Sequence, residues 1–105
     1  MGRQFVVWPF GDRIVDRRLR STAQSLRDLR TALAIVDEQL THVEDDANDK
    51  ALRALVSETA LASFEHRDAE RSRSTLALHR QQLALQIVHQ ERLHDELLER
   101  IRTSG

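Results

Sequence analysis

The stretch "VDRRLRSTAQSLRDLRTALAIVDEQLTHV", residues 15–43, decides the fold. Within it Val15, Leu19, Thr22, Leu26, Leu29, Leu33, Val36, Leu40 and Val43 follow one another at alternating spacings of four and three without a slip. An α-helix turns once in about 3.6 residues, so this alternation gathers the nine side chains into one stripe, the a/d seam of a coiled coil. Eight of the nine are Leu or Val, and the residues between them are mostly Arg, Asp, Gln, Ser and Ala. The stripe is narrow and fits one partner helix. Gly11 is a breaker just before it, Asp12 is a candidate N-cap, and Asp16 adds negative charge near the positive end of the helix dipole. The seam therefore predicts a first helix over 12–43.

Downstream, Glu44-Asp45-Asp46-Ala47-Asn48-Asp49 ends the apolar rhythm. Asp and Asn side chains compete with the helix for backbone hydrogen bonds, so the run predicts a turn. A short helix at 50–56 follows, with Leu52, Leu55 and Val56 on one side, making 44–58 an acidic turn with a connecting helix. Thr59 is the preferred N-cap of what comes next. From Ala60 to Arg102 there is neither Gly nor Pro, which predicts one long last helix, 59–103. The fold class expected is all-α: a single domain, 1–105, built as an antiparallel, coiled-coil-like helical hairpin with an extended N-terminal segment at 1–11.

The seam of the last helix runs Ala62, His66, Ala69, Arg73, Leu76, Arg80, Leu83, Ile87, Gln90, His94, Leu97 and Ile101, and five of these twelve positions are polar or titratable. Leu78, Leu85 and Val88 form a second stripe beside Leu76, Leu83 and Ile87. The apolar surface there is wider than one partner helix covers, so either the short helix at 50–56 or a second copy of the chain packs on it; the preferred expectation is a bundle formed by self-association, as a dimer or larger.

Placing Val43 beside Ala62 sets a register in which Val36 meets Ala69, Leu29 meets Leu76, Thr22 meets Leu83 and Val15 meets Gln90. Residues 91–103 then overhang the first helix by about 20 Å. The segment "GRQFVVWPFGD", residues 2–12, holds the only Trp, the only Pro and two of the three Phe. Its eight residues 3–10 span up to about 27 Å when extended, so Phe5, Trp8 and Phe10 are expected to cover that overhang. The functional alternative makes "FVVW" a docking strand for another chain.

Composition narrows the function. Of 105 residues 40% are apolar and 31% charged, with no Cys, which excludes disulfides and cysteine nucleophiles. No apolar run approaches the roughly 18 residues of a membrane span, so a cytoplasmic protein without membrane contact is expected. Fifteen of the sixteen basic residues are Arg, a bias that a GC-rich genome explains as readily as a function. Residues 1–30 carry seven Arg against three Asp, for +4, whereas 31–70 carry three basic against ten acidic side chains, for −7.

No nucleophile elbow, Gly-rich phosphate loop or catalytic triad motif is present, and neither an enzyme nor a cofactor is expected. Glu91-x-x-His94 has the spacing used in di-iron bundles, and Glu38-x-x-x-His42 is a second helical pair. His66 has Ser63 rather than Glu three residues before it, so a second E-x-x-H is missing there; a symmetric dimer would duplicate the first, but no metal is assigned. The primary expectation is an oligomeric adaptor or regulator that binds an unidentified protein through Leu78, Leu85 and Val88, its N-terminal aromatics or its charged ends. The alternative is a nucleic-acid-associated regulator using Arg13, Arg17, Arg18 and Arg20, a reading weakened by a pI near 6.5.

Overall fold

The computed structural model describes residues 10–104, and side chains over 13–103. The chain forms two helices, α1 (Phe10–Ser57) and α2 (Ala60–Ser104), and no strand among the described residues. They are joined by Glu58 and Thr59 as an antiparallel hairpin. The described residues fall into two compact units, one within Met1–Arg30 and Gln86–Gly105, the other Thr31–Leu85.

Helix α1 runs straight through the acidic stretch, so the turn and separate short helix expected at 44–58 are replaced by continuous helix. The reason lies in the seam. Its four-three alternation continues past Val43 to Ala47, Lys50 and Ala54, and none of these three is exposed, Ala47 being only 1% accessible. Glu44, Asp45, Asp46, Asn48 and Asp49 all stand on the solvent side. Two of these acids pair one turn ahead, Asp46 with Lys50 at 3.1 Å and Asp49 with Arg53 at 3.4 Å, a spacing that supports a helix. With neither Gly nor Pro in the run, the local preference of Asp for caps yields to packing of the opposite face.

The reversal is made by Glu58 and Thr59. Glu58 has φ 52° and its amide donates to the Ala54 carbonyl at 3.2 Å, closing α1 in the left-handed manner common at helix C-termini. Thr59 is the N-cap of α2: its Oγ1 accepts from the Ala62 amide at 3.1 Å, and its carbonyl accepts from the Ser63 amide at 3.0 Å.

The seams are as expected and the register is not. All nine seam residues of α1 face inward, as do eleven of the twelve on α2; Ile101 is 43% exposed. In the first unit, however, Thr22 faces His94 rather than Leu83, about three helical turns further along α2. In the second unit Asp37 faces Arg80. Because α1 extends to Ser57, residues 91–103 do not overhang it, and Leu97 is 2% exposed. Phe10 begins α1 instead of ending an extended segment. Phe5 and Trp8 lie outside the described residues, and the overhang they were expected to cover is absent.

Each unit has its own thin core. Val15, Leu26, Ile87, Leu97 and the hydroxyl-bearing Thr22 are buried in the first; Val36, Leu83, Ala47, Ala62 and Ala69 are buried in the second. Three of the latter five are Ala, and small side chains favour close approach of the backbones. No large side chain is fully buried among the described residues.

Candidate interaction surfaces

In the second unit the turn carries the most exposed apolar group. Leu52 (61% exposed), Leu55 (76%) and Val56 (76%) end α1, and Leu61 (67%) and Phe64 (54%) begin α2. All five lie within seven residues of the Glu58-Thr59 reversal. They stand outside because the α1 seam is occupied by Ala47, Lys50 and Ala54, and the α2 seam by Ala62 and His66. Leu52, Leu55 and Val56 share one side of the expected short helix, and in the continuous α1 that side is exposed. Extending the seam through Ala47 was the signal that would have turned them outward. Exposed carboxylates stand near it in the sequence: Glu44, Asp45 and Glu58 without an ion pair among the described residues, Asp49 and Asp68 paired with Arg53 and Arg71.

Leu78, at 56% exposure, and Leu85, at 62%, belong to the same unit, and Val88, at 42%, to the first. The expected second stripe is thus uncovered within one chain. Ile35, 50% exposed, is a further outward apolar residue of α1.

The basic residues gather in the first unit. Arg20 is tied to Asp16 at 3.0 Å and Arg30 to Glu91 at 2.9 Å, while Arg27 donates to Gln24. Arg13, Arg17 and Arg18 are exposed and make no ion pair among the described residues. Arg13, Asp16, Arg17 and Arg20 line one shallow depression, so a carboxylate stands within the basic group.

The Glu91-x-x-His94 pair borders a second open groove with Ala23, Leu26, Arg27, Arg30 and Asp95. Glu91 is engaged by Arg30, and His94 Nδ1 meets Thr22 Oγ1 at 2.8 Å. Since the Thr22 hydroxyl donates to the Leu19 carbonyl at 3.0 Å, its oxygen is left to accept from His94, which then carries its proton on Nδ1. Glu38 and His42 are both exposed on α1. No group of three or more His, Asp or Glu poised to hold a metal occurs among the described residues.

Two polar seam residues differ in how they are met. Arg80 donates through Nε to Asp37 across the hairpin, and that hydrogen bond and charge raise the guanidinium's affinity for its proton. His66 Nδ1 is buried without a hydrogen-bond partner.

Compared with known proteins, the chain matches no protein-family model, no curated sequence and no solved structure at a significant level. Among the described residues no helix is long and apolar enough to cross a membrane.

Proposed function

We propose that this protein is a non-enzymatic protein–protein interaction module that self-associates through the outward apolar faces of its hairpin and acts as an adaptor or regulator. The observation that carries this reading is the group Leu52, Leu55, Val56, Leu61 and Phe64, every member more than half exposed in the single chain. Large apolar side chains left this exposed on a small domain support association with another surface. The energetics point the same way. Nine apolar residues make up the buried core among the described residues, little for the roughly 95 residues described. Burying each exposed Leu or Phe against a second surface contributes about 1.5–3 kcal/mol.

Sedimentation equilibrium of the full chain at micromolar concentration tests the proposal. A dimer or larger species is expected; a monomer with full helicity at every concentration overturns self-association.

A second reading is favoured by Arg13, Arg17 and Arg18, which are exposed and without ion pairs among the described residues. As a phosphate-binding group they would make the protein a nucleic-acid-associated regulator. Binding of a labelled duplex that weakens steeply with salt would support it. Asp16 in the same depression, and the Arg20 and Arg30 pairs, make it the weaker of the two.

A further inference from the structure

We infer that the surface around the turn takes a second copy of this chain, with the acidic unit of each copy seated on the basic unit of the other. The inference rests on the self-association proposed above and adds which surfaces meet. Counted over the sequence, Thr31–Leu85 holds ten acidic against six basic residues, a charge of −4. The other unit, Met1–Arg30 with Gln86–Gly105, holds ten basic against seven acidic residues, a charge of +3.

Like unit on like unit would bring the carboxylates near the turn, among them Asp45 and Glu58, which make no ion pair among the described residues, against their own copies. It would also set Arg17 and Arg18 against theirs. At physiological salt the Debye length is about 8 Å, so charges flanking a contact still act across it, and such juxtaposition selects against a pairing. Unlike on unlike removes both repulsions and substitutes two attractions.

Apolar surface and symmetry agree with the charges. A stable interface needs about 800 Å² per partner, and the turn group alone would have to supply all of it in a turn-to-turn contact. The reciprocal arrangement uses two patches on each copy, because Val88 and Leu98 of the first unit, 42% and 39% exposed, offer apolar ground for the turn group. It is isologous, so it closes as a two-fold dimer and leaves no free end to propagate.

The absence of Cys makes single introduced thiols unique labels. Ser57→Cys marks the turn and Thr103→Cys the end of α2, both at exposed positions. Donor-labelled Ser57→Cys is mixed with acceptor-labelled Thr103→Cys, and separately with acceptor-labelled Ser57→Cys. Energy transfer several-fold higher in the first mixture is expected, with the dimer dissociation constant rising about tenfold or more as salt is raised from about 20 to about 300 mM. Transfer that is higher in the Ser57–Ser57 mixture, or equal in the two, overturns the reciprocal pairing while the dimer, and the interaction reading, stand. A dissociation constant insensitive to salt overturns the charge argument. No transfer in either mixture, with a monomer in sedimentation, overturns both.

Discussion

Thr22 and His94, 72 positions apart in the chain, meet at 2.8 Å in the seam, and with them the hairpin's register is fixed in the first unit. Thr22 is 5% exposed and is the one buried polar residue among those described. Its hydroxyl joins the Leu19 carbonyl to the His94 ring, so removing the oxygen strands a ring nitrogen beside an apolar seam. Thr22→Val should destabilise the hairpin by about 1–2 kcal/mol in urea denaturation. Thr22→Val with His94→Leu should recover most of that loss, because both partners are then apolar. A double variant destabilised by the full sum of the two single changes, or by more, would mean the pair does not interact as described.

Ala47 sits inside the acidic run and is 1% exposed, while Asp45 two residues earlier is exposed. Ala47→Asp should cost about 3 kcal/mol or more, since it buries an unpaired charge. Asp45→Ala should change stability by no more than about 0.5 kcal/mol. Equal effects of the two in thermal melts would show that α1 does not bury its Ala47 face.

That contrast shows where the sequence was legible and where it was not. Both seams could be read because Leu and Val at a fixed spacing report which face is buried. Thr59 could be read as a cap because a hydroxyl there has an amide to serve. The continuation of α1 through 44–57 was obscured because its seam residues there, Ala47, Lys50 and Ala54, carry little apolar signal, while the exposed side is crowded with turn-forming Asp and Asn. Register depends on where the chain reverses, so that one misreading moved every cross-hairpin partner and created an overhang that the structure lacks. The same misreading hid the turn group, since a separate short helix at 50–56 left open which way Leu52, Leu55 and Val56 face.

Glu58 pays the usual steric cost of a side chain at positive φ, here 52°. Left-handed backbone costs a non-Gly residue about 1–2 kcal/mol, partly offset in a Gly variant by extra entropy of the unfolded chain. Glu58→Gly should therefore stabilise by about 0.5–1 kcal/mol and raise Tm by a few degrees. Thr59→Ala should lower stability by about 1 kcal/mol through loss of the cap to the Ala62 amide. Calorimetry separates the two by sign; a shift in the same direction for both would contradict the turn geometry.

The Arg80–Asp37 pair joins the two helices within the second unit. Its side chains are both nearly half exposed, so its weight is in orientation rather than bulk stability. Arg80→Asp should lower Tm by placing two carboxylates together, and adding Asp37→Arg should restore it. Asp37 holds the Arg80 proton affinity above its ordinary value. For a base so raised, the stabilising contribution is complete below the ordinary value and fades only as pH passes the raised one. Stability should thus show no loss from Arg80 deprotonation anywhere near neutral pH. Failure of the swapped pair to recover stability would show that the two side chains do not face each other.

The account rests on the exposed group at the turn being an association surface, and the most direct test is sedimentation equilibrium of Leu55→Gln/Phe64→Gln beside the parent chain. Both side chains are more than half exposed, so the hairpin should keep its helicity by circular dichroism. The parent is predicted to sediment as a dimer or larger at micromolar concentration, and the variant as a monomer. A parent that is monomeric throughout, or a variant that associates as tightly as the parent, would contradict the account.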